Sequence, residues 1–290
     1  MKTQPPTQGV IYCAVDLWSY VESAVISAFA LRQVSPKLPI IILSNLRNTE
    51  LQEQLYEFNI VIQPILIPEK ERQNNVMISR WIKTRLNTFT EFDETLYLDA
   101  DIIPVKPIDE IWSFLQFANT ALTIDPYPTI SQLISKFTHV SQVERTYTSK
   151  ICAGDSVQFN GGLILWRNNY DGNTLFETWH KEWSRFKQQD QLALSRAIQE
   201  TKTKIAHIPS AYNYPIPFIL NILNISQIEE IEQLNKLKPD LPQLRDIQLI
   251  HCYQSITLYS NIFKEVAIRL MPDATEKALR CLKSISKVYK

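Results

Sequence analysis

The chain has 290 residues, 45% of them hydrophobic, which is enough to bury a core without disulfides or a partner. Its 30 lysines and arginines balance its 30 aspartates and glutamates, so no chain-wide positive field favours a nucleic acid as partner. The five glycines stand at positions 9, 154, 161, 162 and 172 and form no glycine-rich phosphate loop. A bound nucleotide would therefore need a metal ion and cationic side chains to hold its phosphates.

Cysteine spacing and hydropathy predict a soluble, cytoplasmic protein. The four cysteines are scattered, at positions 13, 152, 252 and 281, and no two form a CxxC pair. We therefore expect reduced thiols in a reducing compartment. Residues 1–9 are polar and contain prolines, which is unlike a signal peptide. No run of about 18 apolar residues predicts a membrane-spanning helix.

Short apolar runs alternate with helical periodicity in the first hundred residues. Strands are predicted over residues 10–15, 40–43, 60–67 and 95–98, and helices over 20–32, 52–58 and 79–89. This alternation indicates an α/β fold in which a mostly parallel, twisted sheet is flanked by helices. Ligands of such sheets bind beyond the carboxyl ends of the strands.

The second half of the chain is less regular. Its patterns predict strands within 156–166, 205–208 and 247–252, and helices over 175–186, 192–199, 225–246 and 261–290, the last interrupted at Pro272. No Gly/Ser-rich linker, repeat or low-complexity tract divides the sequence. We therefore expect a single domain over residues 1–290.

The stretch TLYLDADIIPVKPIDEIW, residues 95–112, carries the strongest chemical signal. An apolar strand ends in Asp99 and Asp101, and pleat alternation points both carboxylates to the same side. Two close carboxylates repel each other unless a cation lies between them. A divalent ion would satisfy both and keep coordination positions for a substrate diphosphate. The alternative role for this pair is a helix-capping turn.

Several segments resemble the family 8 glycosyltransferases, the group of glycogenin and the bacterial lipopolysaccharide glucosyl- and galactosyltransferases. They are WIKTRLNTFTEFDETLYLDAD with Lys83, FNGGLILW from Phe159, DQLAL from Asp190, YN at Tyr212, and LIHC around His251. The segments occur in the family's order over roughly positions 10–252. The resemblance implies a GT-A fold with a nucleotide-sugar-binding half (10–105), an acceptor-side half (106–255) and a helical C-terminal tail (256–290).

The resemblance also implies roles for individual residues. Asp99, Asp101 and His251 would bind Mn²⁺, with Mg²⁺ as the other possible ion, because two carboxylates and an imidazole suit such an ion. Asp190 and Gln191 would face the sugar hydroxyls and the anomeric carbon. Lys83 would complete this catalytic set and place a positive charge near the donor. The further donor-binding residues implied are Asp16 for the base, Tyr20 against uracil, and Ala100, Asn160, Gly161 and Gly162.

Structural roles are the alternatives for these same positions. They are a buried, backbone-bonded histidine at 251, a solvated lysine at 83 and a core aromatic at 20. The glycine pair could mark a β-bulge, and Asp190 could be a helix N-cap.

The activity implied by the resemblance is metal-dependent, retaining transfer of a hexose, glucose or galactose, from a UDP-sugar. Retention by double displacement would need a carboxylate nucleophile, for which Asp190 is the candidate. We favour a front-face route, in which the leaving phosphate oxygen deprotonates the acceptor hydroxyl, because it demands only positioning and electrostatics. The second hypothesis is a catalytically silent GT-A domain that binds a nucleotide sugar or a protein partner.

A departure from the family pattern motivates that second hypothesis. Glycogenin-like sequences follow their histidine with a glycine and a lysine that grips the diphosphate, whereas CYQSITLYS follows His251 here. Lys264 or Arg269 would have to supply the missing cation. The acceptor could be a sugar, a lipid-linked molecule or a protein, and a homodimer is a further expectation from the fold.

The C-terminal segment 274–290 has two interpretations. It holds five basic residues, Lys277, Arg280, Lys283, Lys287 and Lys290, against one acidic residue, Glu276. A basic amphipathic helix could bring the enzyme to a membrane surface as a peripheral protein. Alternatively, this helix packs on the domain and its lysines complement the helix dipole.

Overall fold

The computed structural model describes residues 7–72, 78–216, 246–253 and 260–283. The strands are β1 (Gln8–Cys13), β2 (Ile40–Ser44), β3 (Ile60–Pro64), β4 (Glu94–Leu98), β5 (Ile102–Pro104), β6 (Thr120–Thr129), β7 (Val157–Arg167), β8 (Ile205–Ile208), β9 (Tyr214–Pro215) and β10 (Leu249–His251). The α-helices are α1 (Trp18–Val34), α2 (Thr49–Tyr56), α3 (Glu69–Arg72), α4 (Ile78–Lys83), α5 (Ile130–Lys136), α6 (Gln142–Ile151), α7 (Tyr170–Ser184), α8 (Asp190–Thr201), α9 (Ser260–Leu270) and α10 (Pro272–Lys283). Short 3₁₀ helices cover Leu86–Phe89, Asp109–Gln116 and Ser210–Tyr212.

A seven-stranded sheet with the order β3-β2-β1-β4-β7-β6-β8 forms the centre of the fold. Its strands pair in parallel, except that β7 runs antiparallel to both β4 and β6. A second, three-stranded sheet with the order β5-β10-β9 lies beside it. The predicted α/β fold with a mostly parallel sheet is therefore confirmed.

Burial on both faces explains the continuous apolar run of β1. Val10 and Tyr12 belong to the hydrophobic cluster under α1, whereas Ile11 and Cys13 belong to the cluster that contains α4 and α7 residues. Alternate side chains of a strand point to opposite faces of a sheet, so a strand covered on both sides has no polar face. Helices on the two faces thus leave the carboxyl ends of the strands as the open edge.

The predicted helix over residues 79–89 is interrupted in the structure. Helix α4 ends at Lys83, and the 3₁₀ helix Leu86–Phe89 follows it. Tertiary contacts dominate at this point: Thr84 is fully buried, and its hydroxyl lies 2.8 Å from Nδ1 of His180 on α7. Packing against a neighbouring element has here overridden the helical periodicity.

The C-terminal helices pack on the domain. Pro272 is the first residue of α10. The N–H of a residue at this position makes no hydrogen bond within the helix, so proline loses none there. Helix α10 contacts α1 and buries Ala278 and Leu282 in the core, as the packed-helix interpretation requires.

Residues 284–290 and most of the helix predicted over 225–246 lie outside the described residues. Among the described helices, none combines the length and the apolarity that a bilayer-crossing segment needs.

Candidate functional site

The fold brings the end of β4 and the strand β10 together. Asp99 follows β4 directly, and Asp101 precedes β5. Strand β10 pairs antiparallel with β5 in a register that places His251 opposite Ile102. Because Ile102 follows Asp101 in the chain, this register brings the imidazole to the two carboxylates from a distance of 150 residues in sequence. A strand follows the aspartates rather than a helix, so the helix-capping alternative is wrong.

Asp99, Asp101 and His251 form a metal-ligand geometry, and we call these three residues the metal cluster. One ligand atom from each lies within 4.8 Å of the others. Nε2 of His251 is 3.3 Å from Oδ1 of Asp101 and 3.9 Å from Oδ2 of Asp99. The predicted ligand set is thus assembled in space, with the three potential ligand atoms close together.

Asn213 orients the imidazole of His251. Its side-chain nitrogen donates to Thr123 Oγ1 at 2.8 Å and to Asn160 Oδ1 at 3.0 Å, so its oxygen must be the acceptor for Nδ1 of His251, 2.8 Å away. Nδ1 therefore carries the proton, and Nε2 is left to face the aspartates. The histidine bonds to a side chain, so the backbone-bonded alternative is wrong.

This donor set fits a divalent cation. A neutral imidazole would direct the lone pair of Nε2 at two carboxylates, an arrangement that needs a positive charge between them. Burial lowers the pKa of His251, but the carboxylates of Asp101 and Asp99 outweigh burial and raise the pKa above its ordinary value. An imidazole and two carboxylates suit a divalent metal ion, and orientation of the histidine by Asn213 is typical support for a metal ligand.

Lys83 lies between Asp99 of the metal cluster and Asp190, the carboxylate that is predicted to face the sugar. Its Nζ lies 2.9 and 3.1 Å from the two oxygens of Asp99 and 3.6 Å from Oδ2 of Asp190. Burial alone would lower the pKa of Lys83, but these two carboxylates raise it, which keeps the ammonium charged. The side chain is only 12% exposed, so the solvated-lysine alternative is wrong.

Two polar residues next to Lys83 were missed in the sequence. Arg80, one helical turn earlier on α4, places Nε 3.4 Å from Oδ1 of Asp190. The hydroxyl of Tyr97 on β4 donates to Oδ1 of Asp99, so this oxygen is held by Tyr97 and Lys83 while Oδ2 faces His251. For Arg80, the sequence signal was its i, i+3 spacing from Lys83 on one predicted helix.

Asp125 on β6 is a third residue that the sequence analysis missed. It is buried and accepts hydrogen bonds from Nδ2 of Asn160 at 2.9 Å, from Nε2 of Gln191 at 2.8 Å and from the backbone N–H of Tyr127 at 2.8 Å. Burial raises the pKa of Asp125, and these donors oppose the rise. Asp125 therefore holds two of the predicted sugar-binding residues, Asn160 and Gln191, in place.

Helix α8 presents Asp190 and Gln191 to the same cavity. Asp190 is the first residue of α8 and its carboxylate bonds cations, whereas Gln189 occupies the N-cap position without a side-chain bond. The N-cap alternative for Asp190 is therefore wrong. Gln191 donates its amide nitrogen to Asp125 and, at 3.4 Å, to the carbonyl of Phe159, which ties α8 to β6 and β7.

The two glycines of β7 differ in their surroundings. A Cβ at Gly162 would lie 2.3 Å from Cε1 of His251 and 3.0 Å from Oδ2 of Asp99, whereas a Cβ at Gly161 would meet Lys83 and Gln191 at ordinary distances of 3.6 Å and beyond. The register of β6 with β7 also shifts between Leu122 and Thr123, opposite this pair. The glycine pair therefore lies at an irregularity of the β6–β7 pairing, which agrees with the bulge alternative, and Gly162 additionally makes room for the metal cluster.

The remaining predicted donor residues lie around the ends of β1 and β4. Tyr20 and Ala100 line the cavity, and Tyr20 also packs against the core as its alternative required. Asp16 has a left-handed backbone, with φ of 69°, and exchanges two hydrogen bonds with the side chain of Asn45. Asp16 and Gly161 are not among the residues that line the described cavity, so their donor contacts stay predictions.

The cavity that these residues line has a volume of about 410 Å³, within the range of small-molecule sites. Its cationic lining residues are Arg80, Lys83 and Lys136.

The two cations that the sequence proposed for the donor site form other ion pairs. Lys264 pairs with Glu22 on α1 at 2.9 Å, and Arg269 pairs with Glu265 at 2.6 Å. Neither of these two residues lines the cavity among the described residues, so neither supplies the cation that the sequence departure led us to expect.

Solved structures with a similar fold are glycosyltransferases. They include the galactosyltransferase LgtC in complex with donor and acceptor sugar analogues, with 16% identity, a TM-score of 0.57 and coverage of 91% of this chain and 96% of that one. Mouse xyloside xylosyltransferase 1 has 10% identity, a TM-score of 0.57 and coverages of 86% and 98%. GlyE of Streptococcus pneumoniae TIGR4 has 16% identity, a TM-score of 0.55 and coverages of 94% and 63%, so this chain spans less than two thirds of GlyE. The chain thus has the GT-A fold.

The family follows from the sequence. A family model described as "Mannosyltransferase putative" matches residues 7–153, just over half of the chain, and the chain therefore belongs to this family of glycosyltransferases. The matched region runs from β1 to α6 and contains Asp99, Asp101 and Asp125, but it ends before β7, α8 and His251. No curated protein matches the chain, and the resemblance to family 8 stays a prediction.

Proposed function

We propose that this protein is a metal-dependent, retaining glycosyltransferase that moves a hexose from a nucleoside-diphosphate sugar to an acceptor hydroxyl. The observation that carries the proposal is the convergence of the metal cluster, Lys83 and the α8 residues Asp190 and Gln191 on one cavity. The resemblance favours UDP-glucose or UDP-galactose as donor. The family description adds a mannose donor to that choice.

The roles of the residues follow from their contacts. A divalent ion held by Asp99, Asp101 and His251 would supply Lewis-acid stabilisation of the negative charge that develops on the leaving diphosphate. Lys83 holds Asp99 in position and adds positive charge beside it. Asn213 keeps Nε2 of His251 turned toward the aspartates.

The contacts of Asp190 support the front-face route. Both of its carboxylate oxygens have a cationic neighbour, Arg80 at 3.4 Å and Lys83 at 3.6 Å, which lowers the nucleophilicity that double displacement needs. In the front-face route the bond from the anomeric carbon to the phosphate oxygen breaks, and a bond to the acceptor oxygen forms on the same face. The hydroxyl proton of the acceptor moves to the leaving phosphate oxygen. Asp190 and Gln191 would position the sugar during this exchange.

Substitution of Asp101 by asparagine tests the proposal. Asp101→Asn keeps the shape of the side chain but removes a charged ligand, so we expect Mn²⁺-dependent release of nucleoside diphosphate to fall on the order of 10²–10³-fold with an unchanged Tm. The matched control is Asp109→Asn, at an exposed aspartate eight residues further on, which should retain activity. A fully active Asp101→Asn protein would contradict the role of the metal cluster.

A donor screen separates the enzyme from the catalytically silent domain. The protein is incubated with Mn²⁺ and UDP-glucose, UDP-galactose or GDP-mannose, and release of UDP or GDP is measured alongside binding by calorimetry. Ion-dependent release supports the transferase and identifies its donor. Binding without release over many hours supports the silent domain, which is the alternative function.

A further inference from the structure

The end of β6 and the helix α5 form a rim of the cavity, beyond the residues assigned to the donor. Tyr127, Lys136 and Phe137 line the cavity there, and we call these three residues the rim. Tyr127 follows Asp125 by two residues and is hydrogen-bonded to its carboxylate through the backbone N–H. The rim therefore adjoins the carboxylate that holds Asn160 and Gln191.

The rim is fixed relative to the proposed catalytic residues. Tyr127 and Phe137 pack against a small hydrophobic cluster of Leu133, Val140 and Leu192. Leu192 belongs to the first turn of α8, directly after Gln191. A ligand bound on the rim would thus keep a defined distance from the residues that are predicted to bind the sugar.

Lys136 differs from the other two cations of the cavity. Arg80 and Lys83 each bond Asp190, whereas no ion pair joins Lys136 to a carboxylate within the described ranges. Its Nζ instead lies 5.6 Å from the centroid of the Tyr127 ring. Lys136 is partly buried and lines the cavity, and no carboxylate of the described residues pairs with it.

The segment that carries Lys136 holds no carboxylate. Residues 126–143 contain no aspartate or glutamate, and His139 lies edge-on to Phe137 with ring centroids 5.5 Å apart. The nearest preceding carboxylate, Asp125, is already engaged by three donors. An anion on the rim would therefore find a cation and no competing negative charge along this segment.

Aromatic rings complete the rim. Tyr127 and Phe137 offer flat apolar surfaces that suit the C–H face of a sugar ring. Tyr253 is a further aromatic side chain that lines the cavity.

We propose that the rim is the acceptor subsite and that the acceptor is a sugar carrying a phosphate group that Lys136 binds. This rests on the proposed transferase function. A lysine ammonium binds phosphate as a point charge, and a phosphate monoester carries more negative charge at neutral pH than a carboxylate does. The phosphate could belong to a soluble phosphosugar or to a lipid-linked one, and the chemistry at Lys136 is the same.

Calorimetric titration of the full chain with Mn²⁺ and the nucleoside diphosphate present tests this subsite. The probes are mannose 6-phosphate, methyl mannoside, inorganic phosphate and decyl mannosyl phosphate. We expect the phosphorylated sugars to bind about tenfold more tightly than methyl mannoside or inorganic phosphate. Stronger binding of the decyl compound would indicate a lipid-linked acceptor, and stronger binding of mannose 6-phosphate a soluble one.

Variants of Lys136 attribute this preference to the rim. Lys136→Gln should abolish the tenfold preference, Lys136→Arg should retain most of it, and the control Lys150→Gln, on the exposed side of α6, should not change it. Donor hydrolysis without acceptor should be equal in all of these proteins. Equal affinity for charged and neutral sugars, no binding of any sugar, or an unaffected Lys136→Gln protein would overturn the proposal. Absence of donor hydrolysis in the unsubstituted chain would instead contradict the transferase function.

Discussion

The metal cluster and the rim, at two sides of one cavity, differ in how their polar atoms are satisfied. Around the metal cluster, Lys83 and Tyr97 hold Asp99 and Asn213 holds His251. On the rim, Lys136 contacts an aromatic ring and no carboxylate of the described residues. The same cavity thus contains a side whose polar atoms are held by the chain and a side whose lysine pairs with no carboxylate of the described residues.

This difference indicates which side of the cavity determines the choice of acceptor. A preorganised set of ligands needs little reorganisation when charge develops next to it, which is the usual source of electrostatic catalysis. A half-exposed cation among aromatic rings contributes mainly to recognition, because it gains most when a ligand excludes water from it. We therefore expect substitutions behind the metal cluster to change every reaction of the protein, and substitutions on the rim to change only the choice of acceptor.

The largest effect is expected from the glycine pair of β7. In Gly162→Ala the new Cβ would lie 2.3 Å from Cε1 of His251, so the imidazole must move away from the aspartates. We expect Mn²⁺ affinity, measured by electron paramagnetic resonance, to fall about 100-fold, and stability to fall by about 1–3 kcal/mol through overpacking.

Gly161→Ala is the matched control for this prediction. Its Cβ would meet Lys83 and Gln191 only at van der Waals distances, so Mn²⁺ affinity should stay within about twofold of the unsubstituted protein, well below the loss expected when the support of a metal ligand is disturbed. Unchanged Mn²⁺ affinity in both variants would show that the metal cluster tolerates displacement of His251, and would remove the contrast with the rim.

A smaller effect is expected from Asn213. Asn213→Ala removes the acceptor for Nδ1 of His251 but leaves the three ligands in place, so we expect Mn²⁺ affinity to fall by about 10–100-fold. Asn87→Ala is the control, because Asn87 bonds another asparagine, Asn173, at 3.0 Å. Unchanged Mn²⁺ affinity in a folded Asn213→Ala protein would mean that the histidine needs no orienting partner.

The sequence was sufficient for features that depend on local pattern. The apolar runs of β1, β2 and β4 predicted a parallel sheet because strands buried on both faces have no polar alternation. Asp99 and Asp101 were predicted together because they follow one of those strands. The position of His251 beside them came from the resemblance alone, since its contact depends on the pairing of β10 with β5.

The features missed in the sequence depend on contacts between distant segments. Asp125 lies 35 residues from Asn160 and 66 from Gln191, and it stands in a strand, TALTIDPYPT, whose prolines are atypical of a sheet interior. The prolines fall where the register of β6 with β7 is irregular. No local periodicity could indicate a buried carboxylate whose donors come from two other elements.

The smallest predicted effect concerns the packing behind α4, the helix that carries Arg80 and Lys83. His180 of α7 lies edge-on to Trp81 of α4, with ring centroids 6.5 Å apart, and bonds Thr84. Burial, together with the nearby Arg85 guanidinium, lowers the pKa of His180 to about 4 from its ordinary 6.5. The unfolded chain therefore binds a proton that the folded chain excludes, and stability is lost as the pH falls from about 6.5 toward 4.

We expect His180→Gln to lose less stability over this pH interval than the unsubstituted protein. The half-exposed ring limits the difference to roughly 1 kcal/mol, or about 2 °C in Tm at pH 5 for a chain of this size, and thermal unfolding from pH 7 to 4.5 measures it. Identical pH dependence of Tm in both proteins would show that protonation of His180 does not weaken the support of α4.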